Sequence, residues 1–178
     1  MRLGLSVPAA LAATALFWLT AGTAEAGASS FAHTSAGVAA FPDAVSVSAG
    51  SGLVRFGASD LGIDLGAEAH IGLTACGGVP FGLAVHARGL KHLTRESPLY
   101  VGLGGSLYGF VDCGSYGMAD GVFGIANRQQ ATTAPGLERR AHWFVQGRVS
   151  LGTELSGDGL AYGGGVTVGL RTPARRLR

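Results

Sequence analysis

The stretch LGIDLGAEAHIGLTAC, residues 61–76, decides how this chain folds. Leu61, Ile63, Leu65, Ala67, Ala69, Ile71, Leu73 and Ala75 are all apolar. Between them stand Gly62, Asp64, Gly66, Glu68, His70, Gly72, Thr74 and Cys76. The alternation never breaks, which is the period-two signature of a strand with two unlike faces. One face asks for apolar surroundings. The other carries glycine, carboxylates and an imidazole.

The rest of the chain supplies partners of the same kind. Residues 79–90 (VPFGLAVHARGL) put Val79, Phe81, Leu83, Val85 and Ala87 on one face. Residues 99–111 alternate through Leu99, Val101, Leu103 and Leu107, with Gly102, Gly104, Ser106 and Tyr108 opposite. Residues 142–155 set Trp143, Val145, Val149 and Leu151 against His142, Gln146, Arg148, Ser150 and Glu154, and residues 160–170 repeat the pattern. Residues 45–49 alternate too, but the apolar phase flips after Gly50-Ser51-Gly52, as it does at a hairpin turn or a bulge. Residues 116–127 are the least periodic, and 27–43 show no sustained period and read as a flexible lead-in. The charged stretches 91–98 (KHLTRESP) and 128–140 (RQQATTAPGLERR) read as loops.

A turn at Gly50-Ser51-Gly52 gives eight strands, and a bulge there gives seven. The meander predicts an all-β, antiparallel up-and-down β-barrel over 44–171, because closure removes exposed edges. Residues 172–178 are then a basic tail.

Composition fits this picture. The chain has 178 residues, enough for one domain. Charged residues make up 13% of it, roughly half the usual share, while glycine reaches 31. The net charge of +2 is too small to imply a nucleic-acid partner, and much of it belongs to Arg171, Arg175, Arg176 and Arg178 at one end. Met1-Arg2, the apolar run 7–19 and Ala24-Glu25-Ala26 together read as an export signal over 1–26. The apolar run is short of the ~20 residues that a spanning helix needs.

An export signal, all-β alternation, short glycine turns at one end and longer loops at the other resemble the small outer-membrane β-barrel proteins of Gram-negative bacteria. The resemblance implies an apolar face in contact with outer-membrane lipid and a polar, glycine-rich face filling the interior. It implies a structural or surface-binding role carried by the loops 91–98 and 128–140. A soluble, periplasmic or secreted β-barrel or sandwich, binding a small ligand or surface partner, fits the same alternation with its apolar faces turned inward.

Few residues suggest chemistry. Cys76 and Cys113 end strands that run in the same direction, and in an exported protein they read as a disulfide. Closing that loop is worth roughly 3–4 kcal/mol on loop-entropy grounds. Asp64, Glu68, His70, His86, Arg88, Gln146 and Arg148 share the polar face as an interior cluster. A tight turn pairing Cys76 with Pro80 sets His70 opposite His86 and Glu68 opposite Arg88. Such a group is either a set of buried charges satisfied by pairing, or a metal site with His70, His86 and Glu68 as ligands. A barrel hydrolase has less to stand on: Gly104-Gly105-Ser106-Leu107-Tyr108 misses the GxSxG elbow, and His142 and Ser150 are too far apart along one strand. His33 and His92 fall in stretches without periodicity and show no partner. Nothing in the sequence calls for a cofactor, and an enzyme is the less favoured reading.

Overall fold

The computed structural model describes residues 29–41, 44–56, 61–74, 81–94, 97–111, 114–127, 142–155, 157 and 159–173. They form eight strands: β1 (Ser29–Phe41), β2 (Ala44–Phe56), β3 (Leu61–Thr74), β4 (Phe81–His92), β5 (Leu99–Phe110), β6 (Gly114–Ala126), β7 (His142–Glu154) and β8 (Leu160–Pro173). Each pairs antiparallel with its neighbour in sequence, and β1 pairs with β8 to close the barrel. The export signal 1–26, Cys76, Cys113, the loop 128–140 and residues 174–178 lie outside the described residues.

The architecture is the expected one, but several segments are assigned differently, among them Thr172 and Pro173, which end β8 rather than begin a tail. Residues 29–41 are a full strand rather than a lead-in, and β1 forms two ladders, one with β2 and one with β8. Its inward residues are Phe31, His33, Ser35, Gly37, Ala39 and Phe41; its outward ones are Ala32, Thr34, Ala36, Val38 and Ala40. Small side chains on the outside mute the contrast between the faces, so the period is hard to see. Gly50-Ser51-Gly52 is neither turn nor bulge. It lies inside β2, where Gly50 faces Ser35 and Glu68 in an unbroken register. The apolar phase flips because Val54 is an inward, fully buried residue, while Leu53 beside it points out. The chain reverses instead between Phe41 and Ala44, the last pair of the β1–β2 ladder.

Inward positions are odd-numbered in β1 and β8 and even-numbered from β2 to β7. They build three layers. At the end where β1 begins, Val54, Leu90, Tyr100, Val122, Ala126 and Phe144 pack together, with Phe31 and Phe56 against them. At the other end Ala84, Tyr108, Phe110, Met118 and Ala161 pack with Phe41 and Tyr116. Glycines seat these rings. A Cβ on Gly82 would overlap the Phe110 ring, and one on Gly124 would sit 2.5 Å from that of Tyr100. Between the two plugs lies the polar layer.

The links β2–β3, β4–β5 and β6–β7, the start of β1 and the end of β8 share one end of the barrel; the links β1–β2, β3–β4, β5–β6 and β7–β8 share the other. Lys91 and His92, expected in a loop, complete β4, with His92 turned inward and buried. Gly114, which opens β6, has φ of 90°, a conformation that favours glycine.

Proline at Ser51 separates a strand from a turn. Ser51 pairs with Thr34 and Ala67 in the middle of β2, where proline removes a ladder hydrogen bond. Ser51→Pro is expected to abolish the folded, heat-modifiable species on an unboiled gel, whereas a turn at this position would tolerate it.

Candidate functional site

The polar layer is assembled by register. His33, Gly52, Gly66 and His86 lie in one row across β1, β2, β3 and β4. The two glycines leave a bare floor between the two histidines. A Cβ on Gly52 would come within 2.5 Å of His33 Nε2, and one on Gly66 within 2.8 Å of His86 Nε2. The imidazoles lean over this floor and stack, their centroids 6.5 Å apart and their planes 20° off parallel. Asp64, two residues before Gly66 on β3, rises between them: His33 Nε2 is 2.8 Å from its Oδ1 and His86 Nε2 is 3.7 Å from its Oδ2.

Glu68 is the second hub. His70 Nε2 lies 3.3 Å from its Oε2, Arg148 Nη1 lies 3.5 Å from the same oxygen, and His86 Nδ1 lies 3.6 Å from Oε1. His70 is fully buried; its Nδ1 lies 3.1 Å from Ser46 Oγ, and its ring packs edge-on to Tyr108 and Phe110. Asp120 is the third hub. It accepts from Arg88 Nε at 3.1 Å, Ser106 Oγ at 3.1 Å and Ser150 Oγ at 2.7 Å. Gln146 accepts from the Tyr100 hydroxyl at 3.0 Å, joining the polar layer to the plug above it.

The β3–β4 register differs from the one inferred for a tight turn. His70 faces Gly82, Glu68 faces Ala84 and Asp64 faces Arg88, in a ladder that runs from Leu61↔Lys91 to Ile71↔Phe81. Each partner moves by four residues, an even number, so the inward face is kept. His70 and His86 are therefore not a cross-strand pair, and they meet through Glu68 instead. His33 was without a visible partner in the sequence, yet it bonds Asp64. Arg171 is no part of a tail: its guanidinium is buried 4.8 Å from the Phe144 centroid, 5.1 Å from that of Tyr100 and 5.8 Å from that of Phe56. Asp120 was overlooked because residues 116–127 alternate poorly; Ser115, Gly117, Ala119 and Gly121 on the outer face give little contrast.

Chemically, the layer holds three carboxylates and three guanidiniums, together with imidazoles, between two aromatic plugs. Asp120 and Glu68 each take an arginine. Asp64 is held by His33 and His86, although Arg88 sits opposite it in register, because the Arg88 side chain turns to Asp120. Three ligand atoms, one each from His33, Asp64 and His86, lie within 4.8 Å of one another, so these residues, and not His70 with Glu68, form the group able to hold a metal ion among the described residues.

No family model matches the chain, and no curated protein matches it in sequence. Among solved structures it is similar to the crystal structure of Neisserial surface protein A, with a TM-score of 0.62 and 15% identity over 84% of this chain and 100% of that one. At that identity the likeness shows a shared fold.

Removing one partner from a buried ion pair strands the other, at a cost of about 3–5 kcal/mol. Asp120→Ala is expected to lower the unfolding free energy measured in urea by that order, and Asp120→Ala with Arg88→Met to recover a large part of the loss. A double-mutant cycle on the folded barrel measures the coupling.

Proposed function

We propose that this chain is an exported outer-membrane β-barrel with a filled, non-conducting interior and a structural or surface-binding role. The observation that carries this reading is an inverted polarity. Leu103, Leu73 and Leu160 are 76%, 72% and 70% exposed, and Leu83, Val149, Val168 and Leu170 point outward beside them. Asp64, Glu68, Arg88, Asp120, Arg148 and Arg171 are buried instead. Exposed apolar surface this continuous marks a membrane or partner contact, and it encircles the barrel rather than forming one patch. In lipid the cost reverses: apolar side chains meet acyl chains, and a closed ladder satisfies every spanning backbone group. The strands have 12 to 14 residues, above the ~9–11 that a tilted strand needs to cross.

A soluble ligand-binding barrel needs an open mouth leading to an apolar cavity. Here both ends are plugged by aromatic side chains, and the interior between them is charged. Eight strands leave room only for side chains, which argues against a pore. In this reading the contact surfaces are the connection 93–98, after β4, and the segment 128–140, between β6 and β7, with outer-membrane lipid as the partner around the wall.

Two measurements test it. Fractionated without boiling, the protein is expected in the outer membrane as a heat-modifiable species; recovery from the periplasm or medium in soluble form contradicts the proposal. Val149→Arg places a charge on the outer face of β7 at mid-strand. In a bilayer it is expected to cost about 2–4 kcal/mol of folding free energy. On a water-exposed surface the same change would cost almost nothing.

A further inference from the structure

We propose that the barrel interior binds one divalent transition-metal ion of the zinc class through His33, Asp64 and His86. The proposal does not depend on where the barrel resides. Two imidazoles and one carboxylate are a donor set suited to such an ion, and three protein ligands leave one position of a tetrahedron open. With metal–ligand bonds of about 2.0–2.2 Å, ligand atoms in a tetrahedron sit about 3.3 Å apart. The observed separations of 2.8 Å and 3.7 Å to Asp64 bracket that value. The ligand atoms all lie within 4.8 Å of one another, so closing the two rings toward one point completes the set.

Three further observations point the same way. First, Nε2 of His86, which is 7% exposed and faces Asp64, lacks a hydrogen-bond partner. Buried polar atoms of this kind call for an explanation, and an ion is one. Second, a cavity of about 10 Å³, lined by His33, Ser35, Asp64, Glu68 and His86 among others, adjoins them. That is about the volume of one water-sized occupant. Third, Glu68 Oε1 stands 3.6 Å behind His86 Nδ1. A carboxylate there favours the tautomer with Nδ1 protonated and leaves Nε2, the atom facing Asp64, free to ligate.

Charge is compatible with the site. Asp64 is the carboxylate whose neighbours are imidazoles, while Arg88 and Arg148 are directed to Asp120 and Glu68. Arg171, which also lines the cavity, is held over the Phe144, Tyr100 and Phe56 rings. The Gly52–Gly66 floor explains why both rings can reach one point. A side chain on either glycine would occupy the space that the imidazoles use.

Because both ends are plugged, the ion is best supplied during folding. The full chain is refolded with Co²⁺, freed of excess metal, and checked for strand content by circular dichroism. The expected result is one retained Co²⁺ per folded chain, with visible d–d absorption. Paramagnetic broadening should be strongest for the His33 and His86 ring resonances and weak for His142. Asp64→Asn and His86→Ala should reduce retained Co²⁺ by more than about tenfold, whereas His92→Ala should retain it. Folded wild-type protein that holds no Co²⁺ overturns the proposal. So does Co²⁺ that persists in folded Asp64→Asn or His86→Ala, or that leaves the His33 and His86 resonances sharp. The broadening pattern is read on the wild type and decides the matter even if a substituted chain does not fold.

Discussion

Closure of the hydrogen-bond ladder is the constraint on which everything else in this barrel rests. A sheet of eight strands with an apolar outer face cannot leave an edge open, because an unpaired row of backbone groups would recruit another chain or, in lipid, have no partner at all. β1 removes both edges at once by pairing with β2 on one side and β8 on the other. It does so with alanine, threonine and valine outside and with Phe31, His33 and Phe41 inside. The strand that closes the barrel therefore also delivers one of the histidines of its polar centre.

Closure creates an interior, and the interior must balance its own charge. It does so by local pairing. Arg88 serves Asp120, Arg148 serves Glu68, and Arg171 rests on aromatic faces, where a cation is attracted to the ring quadrupole. The plugs keep water from this layer, which strengthens its attractions and raises the cost of any group left alone. Glycine makes the arrangement possible. Where an inward position is glycine, a ring or guanidinium from the next strand can lie against the backbone; Gly52 and Gly66 do this for the histidines, and Gly82 and Gly124 for Phe110 and Tyr100. The abundance of glycine thus reflects packing inside a narrow barrel rather than a need for flexibility.

Much of the fold was legible because the outward residues of β3, β4, β5, β7 and β8 are large and apolar, so their period stands out. β1 and β6 were hard to read for the opposite reason. Their outer faces hold Ala32, Ala36, Ala40, Gly117, Ala119 and Gly121, which differ little in hydropathy from the small residues inside. β2 misled through Gly50-Ser51-Gly52, since a pair of inward glycines in a strand has the composition of a turn. For the site, the inward-facing set was readable from parity alone. Its contacts were not, because they depend on register, and the β3–β4 ladder is offset by four residues from the one that pairing Cys76 with Pro80 implies. His33, Asp120 and Arg171 became visible only once strands distant in sequence had been brought together around the barrel.

The central claim is that lipid surrounds the odd-numbered face of β7 while the even-numbered face is sealed from both lipid and water. Nitroxide scanning tests it most directly. Val149→Cys, Leu151→Cys and Ser150→Cys are each introduced in a background with Cys76 and Cys113 replaced by serine, labelled, and reconstituted in bilayers. The account predicts that labels at 149 and 151 relax with dissolved oxygen and not with an aqueous nickel chelate. The label at 150 is predicted to be immobilised and shielded from both. Strong relaxation by the nickel chelate at 149 and 151 would place that face in water and contradict the account.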